Sequence, residues 1–332
     1  MKGRRLLITG AAGFTGRHAV AYFAGTGAEV TAVVRRSGGE AALFPPGVRP
    51  YVCDLGDRRA VEAMVTAVKP DQVLHLAGRN SVPESWRDPL LYMETNVMAT
   101  LYLLEALRSQ PAGRILVAGS RLKYRPASEA PPHPYSLSKT LEEMVSLAWG
   151  TLFKQPVLMA EPSNLIGPGP STGFCSLLAG HIVRSETAAA AGEAAPAAFR
   201  LSSRQAKRDF LDVRDAVRAY GCILDSGETG RIYRIDSGTE RGLGEIAEKL
   251  LAHAAVPVPI DWGPEPAEAD RGNGSAASAV PAEPSSESAG REATPDGSAG
   301  SAVVPGWRPG IGLDQSLADI IGYTRAGKEG RM

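Results

Sequence analysis

A glycine-rich turn near the start of the chain constrains the fold more than any other feature of the sequence. The pattern of residues 4–9 predicts a short apolar strand and that of residues 17–24 a helix, and Gly10, Gly13 and Gly16 fall between them. Glycine permits positive φ, close approach of the backbone to a pyrophosphate, and tight packing of a helix on a strand. A strand, a glycine turn and a helix in this order predict a dinucleotide-binding site.

The residues around this turn also indicate which dinucleotide is bound. Phe14 and Thr15 lie in this turn just before the helix, whose free N–H groups and partial positive charge attract phosphate. The second strand, at 28–34, ends in Arg35 and Arg36, where an NAD-selective site carries Asp or Glu for the ribose 2′-hydroxyl. Arginine binds a 2′-phosphate with two parallel hydrogen bonds, so we predict NADP, with NAD possible if both arginines are merely solvated.

A second motif predicts proton transfer. Tyr135 precedes Lys139 by four residues in the run P-Y-S-L-S-K, and positions i and i+4 lie on one face of a helix. A nearby ammonium favours a phenolate and lowers the pKa of a phenol toward working pH, which suits a general acid or base. The spacing alone is more typical of a solvated pair of side chains. Its occurrence together with the glycine turn favours catalysis.

Strand and helix patterns alternate through the first half of the chain. This order predicts an α/β fold, a doubly wound parallel Rossmann sheet. A single long helix is predicted over residues 86–109, because its leucines recur at near-helical spacing. Further strands are predicted at 28–34, 48–53, 72–77, 113–119 and 156–160.

The same patterns predict two domains. We expect an NADP-binding Rossmann domain over residues 1–160, with elements from about 205–236 returning to it. A smaller substrate lobe is expected over residues 161–332, where the pattern loosens. The composition of 187–198 and of 264–301, rich in small and polar residues, predicts disordered inserts because it offers little apolar surface to bury.

Composition and charge exclude several classes of protein. The 36 basic residues balance the 36 acidic ones, so no overall field favours nucleic acid or an anionic membrane. We see neither a transmembrane segment nor a signal peptide and expect a cytoplasmic protein. The scattered Cys53, Cys175 and Cys222 predict reduced thiols, and neither they nor the histidines have the spacing of a metal site.

Several motifs occur in an order typical of one family. They include C-D-L at 53–55, H-L-A-G at 75–78, V-A-G-S at 117–120 and N-L-I-G-P-G at 164–169. Over about residues 4–260 the chain therefore resembles the extended short-chain dehydrogenase/reductases, the nucleotide-sugar epimerase/dehydratase/reductase family. The stretches S-V-P-E-S-W-R-D-P and R-D-F-L-D-V-R-D most resemble GDP-4-keto-6-deoxy-D-mannose reductases, or GDP-rhamnose synthases.

This resemblance implies that the cofactor is held by residues from several segments of the first domain. Asp54 would contact the adenine and Leu55 its ring. Lys139 would hydrogen-bond the nicotinamide ribose beside Tyr135. The remaining implied contacts, which line the pyrophosphate and nicotinamide ribose or shape the cofactor site, come from Leu76, Ala77, Gly78 and Asn96.

The resemblance also implies residues that bind the sugar nucleotide. They are Ser81, Ser120, Asn164 and Arg208, of which the last two would approach the diphosphate. From the residues alone, Ser120 follows a strand and so lies at the carboxyl edge of the sheet, where ligands bind in open α/β folds. The alternatives are a turn serine at Ser120, a turn-forming role for Asn164, and a surface ion pair between Arg208 and Asp209.

The chain departs from the family pattern on the substrate side. Arg121 and Leu122 stand where the family's 4,6-dehydratases carry acidic residues, which disfavours dehydration. The loop from Ser120 to Tyr135 is shorter than usual for the family, and Glu161 stands where arginine is common. The cofactor side matches the family pattern throughout.

Three functions remain open. We favour an NADP(H)-dependent reductase of the 4-keto group of a nucleotide-linked sugar, with Ser120, Tyr135 and Lys139 as catalytic residues. The second is a 4-epimerase that oxidises and re-reduces carbon 4 with a tightly held cofactor. The third is a degenerate dinucleotide-binding protein without catalysis. The resemblance further implies a homodimer formed by the predicted helix at 86–109 and the helix of Tyr135.

Overall fold

The structure, a computed structural model, describes residues 2–36, 43–127, 129–263 and 301–329. Its strands, in chain order, are β1 (Arg5–Thr9), β2 (Glu29–Val34), β3 (Arg49–Val52), β4 (Gln72–His75), β5 (Arg114–Ala118), β6 (Val157–Pro162), β7 (Asn164–Ile166), β8 (Phe199–Arg200), β9 (Lys207–Asp212), β10 (Ile232–Ile235), β11 (Glu240–Gly242), β12 (Ile260–Asp261) and β13 (Ser301–Val303).

The helices are α1 (Phe14–Gly25), α2 (Arg58–Val68), α3 (Val82–Arg87), α4 (Pro89–Tyr92), α5 (Ala99–Ser109), α6 (Pro134–Phe153), α7 (Phe174–Ala190), α8 (Val213–Ser226), α9 (Leu243–Leu251) and α10 (Leu313–Glu329). A π-helical segment, Met93–Met98, lies between α4 and α5. Within the described ranges, none of these helices combines the length and the apolar character that crossing a membrane requires.

The main sheet has eight strands in the order β13-β10-β6-β5-β4-β1-β2-β3, and each neighbouring pair is parallel. Successive strand residues face opposite sides of the sheet. Accordingly Leu6 and Ile8 lie in one hydrophobic core and Leu7 in the other, all fully buried. The prediction of a doubly wound parallel α/β sheet is confirmed.

The strand order places a topological switch at β1. The chain leaves β1 for β2 on one side, whereas β4 pairs with the other side of β1. In open α/β sheets, ligands bind in the crevice outside the carboxyl ends of the strands at such a point. The glycine turn follows β1 directly and therefore lies at this crevice.

The single helix predicted over residues 86–109 is wrong. Asp88 adopts φ −141° and ψ 78° between α3 and α4. A residue that precedes proline is sterically disfavoured in the helical region, and Pro89 follows Asp88. The Asp88 carboxylate then accepts a hydrogen bond from the backbone N–H of Leu91 at 3.1 Å, so it caps α4. The π-helical segment interrupts the helical repeat again before α5.

The chain divides into two units. The first comprises the described residues of Met1–Leu165, Leu211–Ser237 and Ser298–Gly312, and it contains the eight-stranded sheet. Residues 301–312 had been predicted in the C-terminal lobe. They belong instead to the first unit because β13 pairs with β10.

The second unit comprises the described residues of Ile166–Phe210, Gly238–Gly297 and Leu313–Met332. Its core is formed by α7, α9 and α10 through residues such as Leu178, Ile246 and Leu317. Helix α7 continues through Ala190, so the first residues of the predicted insert at 187–198 are helical. The predicted insert at 264–301 lies outside the described residues, except for Ser301, which begins β13.

Candidate active site

The glycine turn leaves no space for side chains. Gly10 has φ +65°, and a Cβ atom at this position would lie 2.7 Å from the backbone nitrogen of Ala77. A Cβ atom at Gly16 would lie 2.1 Å from the carbonyl oxygen of Gly10. At Gly13, no side chain of the described part of the chain caps α1, which begins with Phe14 and Thr15. The turn and the helix terminus therefore offer backbone N–H groups that fit a pyrophosphate.

Thr9 fixes the segment after β4 against this turn. Its hydroxyl oxygen accepts hydrogen bonds from the backbone N–H groups of Leu76 and Ala77, each at 3.2 Å. The same oxygen lies 2.7 Å from Nδ1 of His75, and both side chains are buried. The structure thus brings together Gly10 and the predicted cofactor residues Leu76 and Ala77.

Gly78, Asn96 and Lys139 meet at a neighbouring point. A Cβ atom on Gly78 would lie 3.1 Å from Oδ1 of Asn96 and 3.6 Å from Nζ of Lys139. Asn96 is fully buried in the π-helical segment. Its side chain accepts from the backbone N–H of Arg79 at 2.7 Å and donates to Oγ of Ser138 at 2.9 Å. Asn96 therefore ties the loop after β4 to α6, which carries Tyr135 and Lys139.

Tyr135 lies near the start of α6 between two aromatic rings. The ring of Tyr92 packs edge-on against it at 6.2 Å, and the ring of His133 is stacked at 5.9 Å. His133 also caps α6, because its Nδ1 accepts a hydrogen bond from the backbone N–H of Ser136 at 2.9 Å. These contacts leave Tyr135 only 5% exposed and fix its ring.

The ammonium group of Lys139 is buried and paired. Its Nζ donates to the carbonyl oxygen of Ala118 at 3.0 Å and to Oε2 of Glu142 at 2.6 Å. Burial alone would favour the neutral amine, but the Glu142 carboxylate and Tyr135 outweigh it and raise the pKa of Lys139 above its ordinary value. Lys139 is therefore held as a cation one helical turn from Tyr135.

Ser120 follows β5, two residues after the Ala118 carbonyl that binds Lys139. Its hydroxyl oxygen accepts a hydrogen bond from the backbone N–H of Leu122 at 3.0 Å, so it does serve in a turn. This bond occupies a lone pair and leaves the O–H proton to donate elsewhere. Ser120 is half-buried at the carboxyl edge of the sheet.

The short loop between Ser120 and Tyr135 is anchored on α6. The backbone N–H of Tyr124 donates to Oγ1 of Thr140 at 3.2 Å, and Nζ of Lys123 donates to Glu143 at 2.7 Å. Lys123 also forms an ion pair with Glu161, which is buried. Glu161, at the position where the family commonly has arginine, is thus paired with a positive charge from the loop.

The predicted adenosine end of the cofactor site is exposed. Arg35 and Arg36 follow β2, and Asp54 follows the neighbouring strand β3; all three are exposed. Oδ1 of Asp54 accepts from the backbone N–H of Gly56 at 3.0 Å, which orders the turn. Leu55 is half-buried and packs against the core between the sheet and α2. The parallel pairing of β2 and β3 places these residues along one edge of the sheet.

The predicted substrate residues occupy both units. In the first unit, Asn164 begins β7, and Ser81 caps α3 by accepting from the backbone N–H of Glu84 at 3.3 Å. In the second unit, Arg208 lies on β9 with Nη1 donating to the carbonyl oxygen of Lys207 at 2.7 Å. The neighbouring Asp209 is buried, and its Oδ2 accepts from the backbone N–H of Thr239 at 3.0 Å.

Residues 6–236 match the NAD dependent epimerase/dehydratase family. The chain belongs to this family. Similar proteins include the GDP-6-deoxy-D-mannose reductase of Pseudomonas aeruginosa, which is 33% identical over 77% of this chain and 82% of that protein. The probable UDP-arabinose 4-epimerase 3 of Arabidopsis thaliana is 26% identical over 78% of this chain and 71% of that protein.

A solved structure with the same fold is that of RMD from P. aeruginosa complexed with NADPH. It superimposes with a TM-score of 0.72 at 29% identity, covering 98% of this chain and 100% of that one. The family resemblance inferred from the motifs is confirmed. The name of this family describes NAD-dependent enzymes. The glycine turn of this chain fits such a dinucleotide.

Sequence reasoning missed four side chains of this site. Tyr92 and His133 flank Tyr135, Glu142 pairs with Lys139, and Thr100 lies next to Glu142. One of them had a local signal: Glu142 follows Lys139 by three residues and therefore shares its helix face. The other contacts depend on which elements pack against α6.

Proposed function

We propose that this protein is an NADP(H)-dependent reductase of the 4-keto group of a nucleotide-linked sugar, with GDP-4-keto-6-deoxymannose as the candidate substrate. The observation that carries the proposal is the convergence of Gly78 and the Lys139 ammonium beside buried Tyr135, at the edge of the sheet that holds the glycine turn. The choice of a reductase is supported by the 33% identity to a GDP-6-deoxy-D-mannose reductase.

In this proposal the residues that would hold the cofactor lie along the carboxyl edge of the sheet. Arg35 and Arg36 would bind the 2′-phosphate, and the helix terminus after Gly13 would bind the pyrophosphate. Lys139 and Tyr135 would contact the nicotinamide ribose. The remaining contacts come from the other residues that the family pattern suggests: Gly10, Phe14, Thr15, Gly16, Asp54, Leu55, Leu76, Ala77, Gly78 and Asn96.

The bound nicotinamide supplies the hydride for carbon 4. Tyr135 donates its phenolic proton to the carbonyl oxygen, and the Lys139 ammonium stabilises the phenolate that remains. The Ser120 oxygen accepts from Leu122, which leaves its O–H able to donate to the same carbonyl and polarise it. The rings of Tyr92 and His133 hold the phenol in place and exclude water from one side of it.

Dehydration is disfavoured by the residues that follow Ser120. Nη1 of Arg121 lies 3.2 Å from Oδ2 of Asp236, and Leu122 is apolar. Neither supplies the carboxylate that would remove a proton from a sugar carbon. A 4-epimerase remains the second candidate, because Ser120, Tyr135 and Lys139 also serve that reaction and the chain is 26% identical to a probable UDP-arabinose 4-epimerase.

Net consumption of cofactor distinguishes these candidates. The protein is mixed with NADPH or NADH and with 4-keto-6-deoxy sugars linked to GDP, UDP, dTDP or CDP, and absorbance at the nicotinamide band is followed. A reductase oxidises one NADPH per sugar reduced. An epimerase interconverts the corresponding 4-hydroxy sugars with no net consumption. A protein that binds NADPH without either reaction would support the third, non-catalytic function.

The substrate class has its own test at Arg208. In this proposal Arg208 binds the diphosphate of the sugar nucleotide. Loss of one charge-assisted contact costs about 1.5–3 kcal/mol. R208A is therefore expected to weaken binding of GDP, measured by calorimetry, about 10- to 150-fold. Binding of NADPH should be unchanged. An unaltered affinity for GDP would remove Arg208 from the site.

We also propose that the protein is a cytoplasmic homodimer. Large apolar side chains are exposed on α4, the π-helical segment and α6, where a soluble monomer gains nothing from them. They include Leu90 at 72%, Met98 at 38%, Met144 at 52% and Leu152 at 69% exposure. Light scattering coupled to size-exclusion chromatography measures the mass. M144E combined with L152E is expected to shift it toward the monomer.

A further inference from the structure

A buried carboxylate lies against the lysine of the candidate active site. Glu142 is fully buried, and its Oε2 accepts a hydrogen bond from Nζ of Lys139 at 2.6 Å. Lys139 itself is 7% exposed. A carboxylate removed from water is costly unless it is paired and hydrogen-bonded. Burial raises the pKa of Glu142, and the adjacent Lys139 ammonium opposes that rise. The two side chains form a compact hydrogen-bonded pair inside the protein.

The second oxygen of Glu142 lies next to a group of buried polar side chains. Oγ1 of Thr100 donates to the carbonyl oxygen of Asn96 at 2.7 Å, and it lies 3.3 Å from Oε1 of Glu142 and 2.9 Å from Nε2 of His75. His75 Nδ1 in turn lies 2.7 Å from Oγ1 of Thr9. Each of these side chains is buried. These contacts bring polar groups of the strand before the glycine turn close to the carboxylate that pairs with Lys139.

The donors in this group can be assigned. Oγ1 of Thr9 already accepts from the N–H groups of Leu76 and Ala77, so its own proton points to Nδ1 of His75. His75 then carries its hydrogen on Nε2 and donates to Thr100. Burial, helped by the charge of Lys139, lowers the pKa of His75 to about 3, which keeps the ring neutral. His75 therefore adds no positive charge next to the Glu142–Lys139 pair.

We propose that Glu142 is a positioning residue of this enzyme. Its carboxylate holds the Lys139 ammonium against the Ala118 carbonyl and balances the charge of that ammonium next to Tyr135. The proposal rests on the proposed function for the role of Lys139. Without the carboxylate, the buried ammonium loses the partner that makes it stable and exerts its full field on Tyr135. Because the carboxylate raises the pKa of Lys139, its removal lowers the pH at which this lysine loses its proton.

Other titratable groups surround this pair. They are His75 from β4, Tyr92 from α4, Glu161 from β6, and Tyr135 and Glu143 from α6 itself. Glu143 and Glu161 both pair with Lys123, and His75 is neutral. Replacement of Glu142 by glutamine therefore leaves Lys139 as the cation next to Tyr135 without its own carboxylate.

The test uses E142Q, which keeps the size and hydrogen-bonding capacity of the side chain and removes its charge. E105Q is the matched control, because Glu105 forms an i,i+3 pair with Arg108 on the exposed surface of α5. The first measurement needs no substrate. The Cε resonance of Lys139, assigned with K139R in protein labelled with ¹³C-lysine, is followed from pH 6 to 10.

In the wild type and E105Q, we expect this resonance to stay constant over the whole range, since the carboxylate keeps the amine charged. In E142Q it should show an inflection below pH 10, because an adjacent opposite charge shifts a pKa by about 1–3 units. If E142Q does not fold, E142D serves instead. Its shorter side chain weakens the pair and should move the titration in the same direction by less. An E142Q or E142D protein without any inflection would overturn the proposal.

The second measurement is the pH dependence of kcat for reduction. The alkaline limb should move to lower pH by about 1–3 units in E142Q. The limb should stay in place in E105Q and return toward the wild-type position in E142D. An unmoved limb in folded E142Q that binds NADPH would overturn the proposal. If no 4-keto sugar is reduced, the proposed function fails, whereas the lysine titration still decides the role of Glu142.

Discussion

The two ends of the proposed cofactor site are built in opposite ways. At the adenosine end, Arg35, Arg36 and Asp54 are exposed and follow the strands directly. At the nicotinamide end, Asn96, Lys139 and Glu142 are buried. Asn96 donates a hydrogen bond to Ser138 on α6, and Lys139 donates one to Glu142. On the proposed assignment, cofactor preference depends on exposed charged side chains that can be replaced without loss of packing. Proton transfer would depend on buried side chains, whose replacement disturbs the packing around them.

The largest expected effect is at the buried end. Y135F removes only the phenolic oxygen and leaves the ring between Tyr92 and His133. Turnover should fall by about 10²–10⁴-fold, the usual contribution of a general acid, while the affinity for NADPH stays near that of the wild type. Steady-state rates and fluorescence titration of NADPH measure the two quantities. Near-wild-type turnover would mean that another group donates the proton.

The buried end should also make stability depend on pH. The pKa of His75 is lowered to about 3 by burial and by Lys139, whereas a histidine in the unfolded chain titrates near 6.5. Between these values the unfolded chain binds a proton that the folded protein does not, so the free energy of unfolding decreases as pH falls. From pH 6.5 to 4 this amounts to about 3 kcal/mol.

Urea unfolding at several pH values checks this dependence. H75N, which has no titrating ring, should show a shallower decrease below pH 6.5 than the wild type. H253N replaces an exposed histidine of the second unit and is the control; it should keep the wild-type slope. Equal slopes in all three proteins would show that His75 does not govern acid stability.

Substitutions at the exposed adenosine end should change only the preference for NADPH over NADH. Replacing Arg35 with Asp and Arg36 with Ala removes two charge-assisted partners of the 2′-phosphate, so the affinity for NADPH should fall about 10- to 100-fold. The affinity for NADH should change little, and so should the melting temperature, because neither side chain is buried. R59A, at an exposed position on α2, is a charge control. Equal losses for both cofactors would contradict the predicted NADP preference.

The smallest expected effect is the E105Q control. Exposed ion pairs within one helix contribute about 0.3–0.5 kcal/mol, so thermal unfolding should change by no more than about 1 °C. E142Q makes the same chemical change at a buried i,i+3 pair. A larger effect of E142Q than of E105Q would therefore be due to burial of the pair. A large effect of E105Q on turnover would mean that charge at a distance controls this active site.

Local sequence was sufficient where one segment contains the whole signal. The glycine turn, the apolar strands and the spacing of Tyr135 and Lys139 each lie within a few residues, and the sheet was predicted from them. The single helix predicted over 86–109 is wrong because its periodic leucines begin only at Leu90, after Pro89, and the backbone leaves the helical region at Asp88. Proline before an otherwise regular pattern was the signal that should have outweighed the periodicity.

By itself, the sequence determined the fold class and the kind of chemistry, because strand periodicity, glycine in the turn and helical spacing are local properties. Only the tertiary structure decided the surroundings of Lys139. Thr9, His75, Thr100 and Glu142 lie on four separate elements, β1, β4, α5 and α6. Their hydrogen bonds span up to 66 residues of chain, and no local pattern records them. Because a buried polar group without a hydrogen-bond partner is costly, each of these side chains is hydrogen-bonded to a group inside the protein.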